Sequence, residues 1–393
     1  MSSFGTVLPR EAGDSPRERP SADSGEVDHA PREGRIPALD GMRGIAILLV
    51  MIFHFSESPN VPAGLPTAFA KVTGSFWCGV DLFFVLSGFL ITGILFDAKD
   101  NDRPLGKFYA RRALRILPLQ YLLLIVATIY VSIRPTECLL PPGHRIWLWL
   151  YSCNIMQAVK GAWIYNAFDH FWSLAVEEQF YFIWPFVVLS FGRRTLTRIC
   201  LALIIAAPLI RLAMFASGAD SVSVYVLTPC RMDALAIGAL LALLARGPGG
   251  LARYRGAGKW IGVYAAIALV VVGIFRGGLS HLDPVVSVVG FSFVALIAAS
   301  VVAHASLPGR VATLFNWPIL RSFGRYSYGI YIIQQPMLKV LTQSRYAPLL
   351  DRLPYWTSTT LELAIGIVTS FVLAYLSWHC YEQYFLKMKR FFR

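Results

Sequence analysis

The stretch Leu39-Asp-Gly-Met-Arg-Gly-Ile-Ala-Ile-Leu-Leu-Val-Met-Ile-Phe-His-Phe55 decides how the rest of the chain is read. It is apolar over nearly the ~20 residues a helix needs to cross a bilayer, yet it carries Arg43 and His54. Nine further apolar runs follow, near 76–96, 113–133, 172–191, 198–216, 224–245, 259–275, 284–304, 326–342 and 357–381. The composition agrees: of 393 residues 56% are hydrophobic and 15% charged, with a mean hydropathy of +0.55. A soluble protein of this size needs more ionisable surface. The net charge of +13 sits in short clusters between the apolar runs, which excludes a disordered chain and a nucleic-acid-binding one. The six cysteines have no CxxC spacing, so neither a zinc site nor a disulfide framework is indicated and no metal is expected.

Met1 to about Gly34 is rich in Pro, Ser, Gly, Arg and Glu and poor in large apolar residues. It reads as a disordered cytoplasmic tail ahead of a membrane domain over 35–393. No signal-peptide pattern occurs in it, so the run from Leu39 is expected to stay in the mature chain as a helix. An eleventh run, 145–158, is shorter and contains Ser152, Asn154 and Gln157. Loop charge decides whether it spans, because cytoplasmic loops carry the excess of Lys and Arg. If it does not span, 25 basic residues fall on one side and 7 on the other; if it does, the split is 15 and 17. The expected fold is therefore an all-α polytopic bundle of about ten transmembrane helices with both termini cytoplasmic. Residues 134–171 form an outward loop with one short interfacial helix, rich in Trp147, Trp149 and Trp163.

Ionisable groups in a spanning helix are costly and mark function. Arg43 and His54 are eleven residues apart, which puts them on one helical face about 16 Å apart along the axis. Arg43 is then at the cytoplasmic end and His54 near the outer end. An arginine snorkelling to the headgroups and an interfacial histidine account for the pair equally well. Asp40 reads as a helix N-cap. Arg111, Arg112 and Arg115 precede the third helix, with 112 and 115 on one face; they suit a phosphate or are ordinary positive-inside charge. Glu177 and Glu178 lie inside an apolar helix about 100° apart, so one is expected to point into the bundle, as a proton-handling group or as the partner of an arginine. Asp81 begins the second helix on the outer side, where the dipole explains an acid nearly as well as a chemical role does. Arg231 and Asp233 face away from each other and are not one unit. His281, His304 and His144 read as solvated or interfacial.

These segments together resemble the acyltransferase 3 family of bacterial integral-membrane O-acyltransferases. Leu39-Asp-Gly-Met-Arg-Gly-Ile-Ala resembles the family's opening motif, and Arg43 with His54 its arginine, ten residues, histidine pattern. Gly79-Val-Asp-Leu-Phe-Phe-Val-Leu-Ser-Gly-Phe-Leu-Ile-Thr92 is similar to the second signature. Phe108-Tyr-Ala-Arg-Arg-Ala-Leu-Arg-Ile-Leu-Pro118 carries the Arg-x-x-Arg element at Arg112 and Arg115. Phe171-Trp-Ser-Leu-Ala-Val-Glu-Glu-Gln-Phe-Tyr181, Arg231-Met-Asp-Ala-Leu-Ala-Ile-Gly238 and Gly324-Arg-Tyr-Ser-Tyr-Gly-Ile-Tyr331 look like the later elements, and the resemblance covers about 38 to 385. One position departs: where the family often has histidine after Tyr-Leu-x, this chain has Gln334, which hydrogen-bonds but does not titrate.

The resemblance implies transfer of an acyl group, most often acetyl, from cytoplasmic acyl-CoA to a sugar hydroxyl of a surface polysaccharide or lipid-linked glycan, in the inner membrane. The partners it implies are acyl-CoA, a carbohydrate acceptor and membrane lipid, with no nucleic acid and no metal. Arg43, Arg112 and Arg115 would bind the phosphates of acetyl-CoA. His54 would act as general base on the acceptor, oriented by Glu177, with Asp81 as a third catalytic candidate. The competing class is a proton-coupled transporter or flippase, since buried His, Asp, Glu and Arg also build proton relays.

Overall fold

In a computed structural model the described residues are 36–56, 67–133, 140, 143–342 and 355–392. The tail expected over 1–34 lies outside them. The fold is helical, with no strand among the described residues. Ten long helices account for most of it: α1 Pro37–Ser56, α2 Cys78–Asp97, α3 Pro104–Ile133, α4 Phe171–Ser190, α5 Arg193–Ala216, α6 Met232–Ala245, α7 Arg255–Arg276, α8 Phe291–Ala305, α9 Pro318–Thr342 and α10 Tyr355–Ser377. Among the described residues eight spans are long and apolar enough to cross a membrane, and only α4 and α9 of the ten helices lie outside them. Those two helices carry much of the polar lining described below. The chain is a multi-pass membrane protein.

The 145–158 run forms two short helices, Arg145–Trp149 and Cys153–Lys160, neither long enough to span. They replace the single short helix expected there. Tyr151 between them has φ +51°, a left-handed conformation that ends the first helix. Likewise α1 begins at Pro37, so Asp40 is not an N-cap. It sits in the first turn, where a carboxylate favours the helix dipole, and lies 3.9 Å from Arg43.

Lipid provides no hydrophobic force between helices, so packing rests on close approach of small residues. A Cβ on Gly324 of α9 would lie 1.7 Å from the Asp40 carbonyl oxygen of α1, and one on Gly238 of α6 would lie 2.1 Å from the Val85 carbonyl oxygen of α2. The two helix pairs meet backbone to backbone at these points. In α1, α2 and α6 61%, 67% and 61% of the spanning stretch is buried, against 17% for α5 and 11% for α7. The first three are central and the last two line the periphery, where Ile267, Ile274 and Phe275 point outward, toward lipid.

Among the described residues two ion pairs are buried in the bundle. Arg231 Nη2 donates to Asp81 Oδ1 at 2.7 Å, and Arg211 Nη2 to Asp233 Oδ2 at 2.9 Å. Arg211 also donates to the carbonyls of Cys230 and Val288, and Ser292 Oγ donates to Asp233 at 2.6 Å. As expected, Arg231 and Asp233 belong to different pairs. Among the described residues the cysteines are unpaired and no group of acidic, His or Cys side chains has a metal-binding arrangement.

Candidate active site

Five helices, α1, α2, α3, α4 and α9, line one cavity of about 730 Å³ including its mouth. Arg43 enters from α1, Ser87 from α2, Arg112 and Arg115 from α3, Glu177, Glu178 and Tyr181 from α4, and Tyr331 from α9. The three arginines singled out in the sequence thus meet in one place. Arg112 and Arg115 share the face of α3 that one helical turn gives them, and the Arg112 guanidinium stacks over the Tyr181 ring at 4.5 Å. Three guanidinium groups beside a cavity form a ready anion site, because each offers a planar fork of donors. This fits a donor bearing phosphates.

Both glutamates line the cavity, whereas one alone was expected to face inward. The reason is geometric: side chains ~100° apart on a helix can both edge a cleft that wraps around it. Glu177 also has a different neighbour from the one expected. Its Oε1 accepts a hydrogen bond from Ser87 Oγ at 2.5 Å, and Ser87 accepts one from the Tyr181 hydroxyl at 2.8 Å. Glu177 therefore sits with the arginine cluster, and the hydrogen bond on its Oε1 comes from Ser87. Asp81 is not among the cavity residues, and its carboxylate is engaged by Arg231.

His54 lies away from the cavity lining, further along α1. A connected set of groups joins the two. Ser173 Oγ and the Tyr331 hydroxyl, both at the cavity, are hydrogen-bonded to each other. Tyr331 donates from its hydroxyl to the His170 carbonyl at 2.9 Å, and His170 Nε2 lies 2.9 Å from the Tyr331 carbonyl. The His170 ring is 6.0 Å from that of His54, edge to face. Burial pushes the His170 imidazole well below its usual pKa, and His54 pushes it further, so it is neutral. Gln334 lies against His54, yet its amide atoms, like His54 Nδ1, are buried without an aligned hydrogen-bond partner.

His170, the residue before that Phe171–Tyr181 segment, has no role in the sequence reading. A signal existed: His170, Ser173, Glu177 and Tyr181 are spaced three, four and four residues apart, one stripe of a helix. His281, expected to be solvated or interfacial, is buried. Its ring is 4.6 Å from Tyr225 and 5.5 Å from Phe53, and burial, with Arg231 and His54 adding, holds its pKa down at about 3. No local pattern announced it, because its neighbours come from distant segments.

Fold and site together define a polytopic membrane protein with an inward-facing arginine and carboxylate cavity. The chain belongs to the Acyl_transf_3 family, described as an acyltransferase domain, whose profile matches residues 36–379. It is 29% identical over 371 residues to "Putative peptidoglycan O-acetyltransferase YrhL" of Bacillus subtilis, covering 88% of this chain and 54% of that protein. It is 28% identical over 326 residues to "Peptidoglycan O-acetyltransferase OatA" of Listeria monocytogenes, covering 78% of this chain and 50% of that protein. The chain thus spans about half the length of these relatives. No solved structure matches it.

Proposed function

We propose that this protein moves an acyl group, most often acetyl, from cytoplasmic acyl-CoA to a sugar hydroxyl of a surface polysaccharide or lipid-linked glycan in a bacterial inner membrane. The observation that carries this is the convergence of Arg43, Arg112 and Arg115 on one cavity, with His54 on the same face of α1 about 16 Å further along. The arginines hold the donor's phosphates, and the pantetheine arm is long enough to bring the thioester past Ser173 and Tyr331 to His54. The names of the two relatives favour a carbohydrate acceptor, peptidoglycan or a related glycan. The cytoplasmic side is assigned from the Lys and Arg balance of the loops.

At His54 the acceptor hydroxyl loses its proton to the imidazole as its oxygen attacks the thioester carbonyl. The new C–O bond forms, the C–S bond breaks, and the proton passes from His54 to the leaving sulfur, giving the ester and free CoA. A hydroxyl is too weakly acidic to attack unaided, which is why a base is needed. Asp81 has no part in this scheme, and Glu177 acts at the arginine cluster by fixing Ser87.

The test uses the purified full chain in nanodiscs with radiolabelled acetyl-CoA and a glycan acceptor. Label should pass to the glycan, and His54→Ala should abolish the transfer. Arg112→Ala should raise KM for acetyl-CoA by roughly 10- to 100-fold, the size of one charged hydrogen bond, with a smaller change in kcat. Unchanged transfer by His54→Ala refutes the base; altered glycan export without any acetyl transfer refutes the enzyme and favours the transporter.

A further inference from the structure

We infer that His170 is a positioning residue for His54, fixing which of its ring nitrogens carries the proton. The inference rests on the reading of His54 as the base. It begins from tautomer chemistry. A carbonyl oxygen only accepts, so the 2.9 Å contact between His170 Nε2 and the Tyr331 carbonyl requires the hydrogen to be on Nε2. A neutral ring has one N–H, which leaves His170 Nδ1 as a bare lone pair, and that atom is buried with no hydrogen-bond partner. Such an atom is costly unless something donates to it.

The facing group is His54. Its own Nδ1 is also buried without an aligned partner, although the residue as a whole is partly accessible. With ring centroids 6.0 Å apart and the rings edge to face, and each nitrogen roughly 1.1 Å from its centroid, the nitrogens come no closer than about 3.8 Å, a gap that one water spans. A proton on His54 Nδ1 supplies the donor that His170 Nδ1 lacks. The His54 Nε2 lone pair is then left for the acceptor hydroxyl. When Nε2 takes up the acceptor's proton, the cation formed is stabilised by the His170 lone pair, and His170 itself takes up no proton. The carbonyl of Tyr331 holds His170 in this orientation, and the Tyr331 hydroxyl, bonded to Ser173 at the cavity, ties the arrangement to the donor site.

Two substitutions separate this role from simple anchoring. Asparagine places its Oδ1 near the position of Nδ1, so His170→Asn keeps the acceptor for His54 and loses the bond to Tyr331. Glutamine reaches the position of Nε2, so His170→Gln keeps that bond and loses the acceptor. In the nanodisc acetyl-transfer assay His170→Gln should lose kcat by roughly 10- to 100-fold, with both KM values little changed, and His170→Asn should keep at least about tenfold more kcat than His170→Gln. The reverse order of the two variants, or equal loss in both, overturns the inference. Solid-state NMR of 15N-histidine-labelled wild-type protein reads the tautomers directly and needs no variant: His54 should be protonated at Nδ1 and His170 at Nε2. A His54 proton found on Nε2 overturns the inference while leaving the general-base reading to its own test; full transfer by His54→Ala overturns both.

Discussion

Asp81→Asn should destabilise the protein by removing charge from a buried pair, and it should do so without a direct effect on chemistry. In the wild type the pair is 2.7 Å apart with both side chains 1% exposed. Asp81 Oδ2 and Arg231 Nε and Nη1 have no other hydrogen-bond partner, so the two residues depend on each other. Deleting one charge of a buried pair costs about 3–5 kcal/mol, because the other is left uncompensated. Some of that is offset here, since the Arg231 guanidinium lies 4.0 Å from the Phe291 ring centroid and 5.1 Å from that of Tyr225, contacts worth about 1–2 kcal/mol when desolvated. The expected net loss is about 2–3 kcal/mol, or roughly 2–4 °C in melting temperature for a chain of this size. The assay is thermal unfolding in detergent beside acetyl transfer at a temperature where the variant is folded. Because the penalty is the orphaned charge, Asp81→Asn combined with Arg231→Gln should recover most of the loss. An Asp81→Asn protein with wild-type melting temperature and no transfer activity refutes the structural assignment and returns Asp81 to the catalytic group.

Two further outcomes follow from packing and burial. Gly324→Ala should cost about 1–3 kcal/mol, because the new methyl meets the α1 backbone and the helices must part; Gly106→Ala in α3, with nothing within 4 Å, should leave the melting temperature unchanged or raise it, and equal effects at the two sites would refute the close-approach argument. For His281 the folded-state pKa is about 3 against an ordinary 6.5, so the unfolded chain binds the proton more readily. Stability is complete above about pH 6.5 and falls as the pH drops toward 3, with about 2 kcal/mol lost by pH 5. His281→Gln should flatten the melting-temperature profile between pH 7.5 and 5, leaving the share of His170; a slope identical to wild type would show that His281 is not the buried neutral group described.

Where the helices run, that the 145–158 segment does not span as one, and that Arg43, Arg112 and Arg115 gather at one level of the bundle could all be read from the order of the residues. Hydropathy, charge count and helical periodicity are sums over neighbouring residues, and a local sum is fully contained in the chain. Which group faces which was decided only in three dimensions. Asp81 finds Arg231 150 residues away, Glu177 accepts a hydrogen bond from Ser87, His281 packs on Tyr225 and Phe53, and the His170 ring comes to 6.0 Å from that of His54. Those pairings depend on the rotation of each helix about its axis and on how near two backbones come, which Gly238 and Gly324 set by contacts with α2 and α1. A single apolar run carries no record of the helix across from it, so chemistry made between helices becomes visible only when they are packed.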